Sequence, residues 1–357
     1  MSDCTTRHRT ATGRNGSLLV LVVLTGAALT AAGPEPKYKA PRTEYGQPDL
    51  QGVWNFSSDV PLERALAFAD KRFFTREELD QQKAVKGKAA DARAKFAPVE
   101  DVGVAWLDYA AQIENLRTSL IAYPENGRLP KLVDGVRRLP EPEQFVAALA
   151  DAKFVVAEAL AALGAPPPAL LADGHQDFSL SERCLADGGS PPFVPVFNAN
   201  FVQVIQSKDH VALLTEPLHR ARIVPLDGSP HLGENLRSWS GDSRGRWEGD
   251  TLVIETRNFN NRTRSFAGAG TSRDKVVTER FTRVSSNAIE YEATVVDPKT
   301  FQDRIVLSLP MAKVDARIYE SACHEGNYSL PNTLAGARKE EQDAIKTKPE
   351  SPSRNEK

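Results

Sequence analysis

A chain of 357 residues with 41% hydrophobic and 26% charged content is long enough to bury a substantial core and too apolar to be disordered throughout. Its 45 basic against 47 acidic side chains leave a formal charge of -2, so there is no global basic field to hold nucleic acid. Any electrostatic steering has to be local.

The first residues read as an address. Arg7, Arg9 and Arg14 make a positive start, 18–29 is an apolar run, and Thr30-Ala31-Ala32 is a small-residue cleavage pattern, which together predict a signal peptide over 1–32. The apolar run is well short of the roughly 20 residues a spanning helix needs, and no later stretch approaches that length, so no membrane span is expected in the mature chain. The expectation is an exported bacterial protein, periplasmic or secreted. Its mature part is one β-rich domain over 33–340, and a charged tail over 341–357, frayed from about Arg338, follows.

Export changes the reading of the thiols. Cys4 leaves with the signal peptide, and Cys184 and Cys323 remain in an oxidising compartment, where a disulfide is the expectation and two separate buried thiols the alternative. The spacing offers no CxxC pair for a metal.

In chain order, Gly46-Gln47-Pro48-Asp49 is a polar turn feeding Leu50-Gln51-Gly52-Val53-Trp54-Asn55-Phe56, an aromatic-rich strand. Thr75-Arg76-Glu77-Glu78 is a capping box that starts a polar surface helix reaching to about residue 95. A strand over 117–121 runs into the turn Pro124-Glu125-Asn126-Gly127 and returns, as a hairpin, through Arg128-Leu129-Pro130. A second helical insertion is predicted over 143–163, ended by Gly164 and Pro166-Pro167-Pro168, and a Pro-, Gly- and Ser-rich segment carrying Cys184 runs to about Pro195.

From Asn200 the pattern is continuously β. Strands are predicted over 201–206, 211–216, 219–224, 276–284, 289–296, 305–309 and 318–322, with Ile289, Tyr291, Ala293 and Val295 inward. Among them, Trp239 to Phe259 forms a hairpin that turns at Glu248-Gly249-Asp250 and concentrates Asp242, Arg244, Arg246, Trp247 and Glu248. About eight to ten short antiparallel strands favour a closed barrel or strongly curved sheet, because closure removes exposed edges, with the helical insertions in the N-terminal half.

The Gly-x-Trp at Gly52–Trp54 resembles the opening strand of lipocalin-like barrels, where the tryptophan closes one end. The segments PDLQGVW, RTSLI, RCL, GDSRGRWEGDTLVIET and ACHEGNY together resemble a large family of exported bacterial proteins and cover nearly the whole mature chain. That resemblance implies no activity, cofactor or catalytic residue.

The residues leave two readings open. One is a binding barrel for a small, acidic or amphipathic organic ligand, with Trp54, Trp239 and Trp247 as apolar contacts and Arg222, Arg244, Arg246 and His231 as polar ones. The other is a hydrolase or lyase with His219 or His324 as general base and Asp242 or Glu325 orienting it. A structural or interaction role is the third possibility. Gly241-Asp242-Ser243-Arg244-Gly245 lacks both the glycine after the serine and the strand-turn-helix context that a nucleophile needs. The histidines have no H-x-H or HExxH spacing, so neither a metal nor a cofactor is expected. In the 219–224 strand, His219 shares a face with Ala221 and Ile223, and Arg220 and Arg222 take the other. Alternation over 318–324 sets His324 opposite Cys323 and, with the disulfide outside, turns it toward the barrel beside the charged hairpin.

Overall fold

The computed structural model describes residues 38–68, 70–85, 113–136, 174–175, 178, 180, 183–185, 190–196, 200–216, 218 and 220–347. The expected signal peptide, the second half of the first helix, the helix over 143–163 and His219 lie outside the described residues. The remainder is mostly β. Ten strands, β1 (Gly52–Asn55), β2 (Ile121–Tyr123), β3 (Phe201–Gln206), β4 (His210–Thr215), β5 (Arg220–Pro225), β6 (Asp242–Glu248), β7 (Thr251–Arg257), β8 (Val276–Arg283), β9 (Ala288–Val296) and β10 (Ile305–Val314), form one antiparallel sheet. Its order is β5-β4-β3-β1-β10-β9-β8-β7-β6, with β2 on β10 beside β1.

The sheet rolls until its two edges meet. β5 and β6 approach with Cα atoms within 8 Å, yet no ladder joins them. Gly245 on β6 permits the approach: a Cβ there would stand 2.7 Å from Leu226 Cδ2 and 2.9 Å from Val224 Cγ1. The result is a nearly closed barrel, as the strand count suggested.

Period-two alternation sorts the side chains. Leu252, Ile254 and Thr256 on β7 and Ile289, Tyr291, Ala293 and Val295 on β9 all point inward and are buried. Val253 is also fully buried, although it faces outward. It lies in register between Arg246 and Arg280, whose guanidiniums both reach Glu248, so their stems cover it. Pro310 interrupts neither neighbour, because β2 pairs with β10 up to Leu307 and β1 only from Ala312.

Register fixes two distinct ends. At one lie the β3–β4, β6–β7 and β8–β9 turns, and there Trp54 is fully buried, its indole donating to Leu50 O at 2.8 Å while Arg283 stacks over the ring. Gln206 ties the preceding loop down by accepting from the Leu50 amide at 2.6 Å and donating to Pro48 O at 3.0 Å. This end is shut. The other end, the mouth, gathers the β4–β5, β7–β8 and β9–β10 connections.

Three expectations need correction. The return over 128–130 is no hairpin strand: the turn forms, with Gly127 at φ 67 donating to Pro124 O, but β2 pairs with β10. Residues 318–322 are not a strand, because β10 already has partners on both sides and offers no free edge. The tail, expected to fray from Arg338, runs helical to Thr347, in a helix Ser329–Thr347 that Arg338–Glu341 and Lys339–Asp343 pairs support at helical spacing. The first helix, 76–85, starts as expected, with Glu78 N donating to Thr75 Oγ1 at 3.2 Å and Thr75 N to Glu78 Oε2 at 2.8 Å.

Candidate ligand site at the barrel mouth

The interior is packed. Phe56, Phe193, Phe281 and Tyr291 are all buried, Phe193 stacking on Phe56 with centroids 5.1 Å apart and leaning on Tyr291 at 5.5 Å. Phe193 belongs to no strand; the segment 190–196 inserts it among the inner side chains, where its amide donates to the Tyr291 hydroxyl at 2.8 Å.

Beneath Phe193 lies an ion pair. Arg222, 6% exposed, meets the fully buried Glu279 through both terminal nitrogens, Nη2 standing 3.0 Å from Oε1. Tyr291 donates to the same oxygen at 3.0 Å, and the Arg222 guanidinium stands 5.5 Å from the Phe193 ring centroid. Burial first, and the Glu279 charge second, push the Tyr291 hydroxyl well above its ordinary pKa, so it stays a donor. Such a pair is tolerated when most of its donors and acceptors are met: the Thr256 hydroxyl, bonded to that of Ser243 at 2.8 Å, lies 3.4 Å from Arg222 Nη1, and Arg222 Nε is left without a partner.

Arg220 stands two residues nearer the mouth on the same inner row. Its Nη1 donates to Ser240 Oγ and its Nη2 to Leu185 O, both at 2.7 Å, which spans the seam between β5 and the lead into β6. Unlike Arg222 it meets no carboxylate among the described residues, and its buried Nε, like that of Arg222, has no partner. Burial lowers its pKa for the same reason. Arg220 forms one wall of a cleft of about 280 Å³ whose other lining includes Leu218, the disulfide, His324 and Glu325. The disulfide is formed, Cα to Cα 5.8 Å, and joins the segment between β2 and β3 to the turn after β10. Nearby, Glu216 receives the Tyr319 amide, but burial dominates and raises its pKa.

The sequence-predicted residues are scattered over the molecule. His324 and Glu325 reach the cleft, on an exposed turn in which Glu325 N donates to Ala322 O at 2.9 Å, so His324 does not point into the barrel. The cleft adjoins the root of the hairpin, and the charged tip at Glu248 is at the shut end. Trp54 and Trp247 are at that shut end too, and Trp239 is half-buried in the lead into β6. Arg246 lies on the outer face, paired with Glu248 at 2.6 Å.

Asp242, His231 and Arg244 form a separate outer cluster. His231 Nδ1 lies 2.8 Å from Asp242 Oδ2 and its Nε2 3.3 Å from Glu255 Oε1; Arg244 donates to Asp242 Oδ1 at 2.6 Å. Burial works to raise the Asp242 carboxyl, yet the Leu232 amide, His231 and Arg244 together hold it below its ordinary value. With a carboxylate at each ring nitrogen, His231 has none to offer a substrate, and the two acids face opposite sides of the ring instead of a common point. Among the described residues no group of three or more His, Cys, Asp or Glu could hold a metal, and no helix is long and apolar enough to cross a membrane. Asp242 is thus a fastener for the loop at Leu232, and the expected partnership with His324 is absent.

Sequence reasoning missed Arg220 and Glu279 as site residues. The signals were present: Arg220 shares the alternation of Arg222, and Glu279 falls between Val277 and Phe281 in an apolar inward row.

No family model and no curated protein matches the chain. Among solved structures, a secretory abundant heat soluble (SAHS) protein from Ramazzottius varieornatus is similar at 13% identity over 32% of this chain and 70% of its own, with a TM-score of 0.21, too low to bear on function.

Proposed function

We propose that this chain is an exported binding protein for a small amphipathic acid, held at the barrel mouth with its acid group on Arg220. The observation that carries the reading is the contrast within one inner row: Arg222 is neutralised by Glu279, whereas Arg220, half-buried in an open cleft, has no carboxylate partner among the described residues. An acid group there would meet a guanidinium that has no carboxylate partner among the described residues, and an apolar body could lie along Leu218 and the disulfide. The packed interior argues for the mouth over a chamber deeper in the barrel. Export rests on the leader pattern and the disulfide, and membership of the exported bacterial family rests on the GDSRGRWEGDTLVIET segment.

A direct test uses 1-anilinonaphthalene-8-sulfonate, an amphipathic anion, as probe. Arg220→Gln should keep the circular dichroism of the parent and weaken binding about tenfold, equivalent to roughly 1.4 kcal/mol. Equal affinity in the two proteins, or no saturable binding to the parent, would sink the proposal.

A further inference from the structure

A second cleft opens at the mouth, between the β7–β8 and β9–β10 connections. Its volume is about 410 Å³, and its lining includes Val136, Arg264, Gly270, Thr271, Lys299 and Thr300. Among the described residues no carboxylate lines it. Neither Arg264 nor Lys299 makes an ion pair among the described residues, although the protein pairs most of the arginines on its strands.

The floor is built. Thr300 is 1% exposed, yet its Oγ1 has no hydrogen-bond partner, an uncommon state for a buried hydroxyl. Its backbone is fully engaged: the amide donates to Asp297 O at 3.0 Å and the carbonyl accepts from Val133 N at 3.0 Å, so the residue cannot swing away to find a partner. The Asp297 carboxylate also receives the Lys299 amide at 3.0 Å, which sets the turn from which Lys299 projects. Gly270 faces this hydroxyl. At φ +52 it takes a conformation that other residues rarely adopt, and a Cβ there would stand 2.1 Å from Thr300 Oγ1. Glycine at this position is what leaves room for the buried hydroxyl, which any Cβ would displace.

We infer that this cleft is a binding site for a phosphoryl group, with Arg264 and Lys299 supplying charge and the hydroxyls of Thr300 and Thr271 supplying directed donors. A tetrahedral phosphoryl group offers oxygens in enough directions to use two cations and two hydroxyls together, whereas a planar carboxylate presents only two oxygens. The remaining volume accommodates the group that bears the phosphate, which is either a soluble phosphate or a lipid headgroup.

Isothermal titration of the full mature chain with inorganic phosphate, at constant ionic strength in chloride, tests the site. Saturable binding is expected, weakened at least tenfold in an Arg264→Gln/Lys299→Gln double variant and in Thr300→Val, retained in Thr300→Ser, and unchanged in Arg246→Gln on the outer face. The charge variants change exposed side chains, so they report even if Thr300→Val fails to fold. Absence of saturable binding, or equal affinity in parent and double variant, overturns the inference. Sedimentation with phosphatidylglycerol vesicles separates the sources: co-sedimentation that inorganic phosphate displaces assigns a headgroup, and phosphate binding without co-sedimentation assigns a soluble phosphate. Co-sedimentation that persists in the double variant also counts against the site.

Discussion

Removing one partner of the Arg222–Glu279 pair strands a charge where no other counter-ion is at hand, since Glu279 is fully buried and Arg222 nearly so. Glu279→Gln or Arg222→Met alone should therefore destabilise the barrel by about 3–5 kcal/mol, and the double change Arg222→Met/Glu279→Leu should recover most of that loss. Urea denaturation of the three variants decides it; single variants within about 1 kcal/mol of the parent would show that the pair is solvated. These two residues also mark where sequence reading stops. Arg222 is 6% exposed while its neighbour Ile223 is 57% exposed, so hydrophobicity assigns the inner face of β5 the wrong way round. The pattern does reveal that Arg220 and Arg222 share a face, but which face is inner depends on a carboxylate 57 residues away. The site suffers from the same gap: the composition of the cleft depends on the disulfide and on loops that no period governs.

At the scale of elements, legibility follows local physics. The β6–β7 hairpin, the inward row of β9 and the capping box of the first helix each depend on neighbours a few residues apart, and each forms as its pattern predicts. The expected strand over 318–322 fails because strand formation needs a free edge, and that is a property of the whole sheet. The segment is held instead by the Cys184–Cys323 bridge, across a separation of 139 residues that encloses β3 to β10. Closing so long a loop in the unfolded chain should contribute up to about 5 kcal/mol by chain entropy. A Cys184→Ser/Cys323→Ser protein compared with the parent by guanidinium denaturation should show a loss of a few kcal/mol, and an unchanged midpoint would mean that the bridge constrains nothing. Because the two cysteines line the cleft with Arg220, the same protein should also bind the amphipathic anion less well.

On the scale of the whole molecule, closure is uneven around the circumference. From β5 through β4, β3, β1, β10, β9, β8 and β7 to β6, every neighbouring pair is joined by a ladder, and β10 is flanked by β9 on one side and by β1 and β2 on the other. The last junction is made by side chains: Gly245 against Val224 and Leu226, Arg222 toward Thr256, Arg220 to Ser240. Amide hydrogens along that junction have no backbone acceptor across it, so they depend on packing alone to exclude solvent. Hydrogen–deuterium exchange should accordingly run as a gradient around the barrel, fastest for the seam-facing amides of β5 and β6, slower through β4 and β7, and slowest in β9 and β10, which would exchange only on global unfolding. Equal protection around the circumference would mean that the seam is sealed as firmly as any ladder. With the gradient, the barrel has a built-in line of first opening, and both arginines of the inner row lie on it.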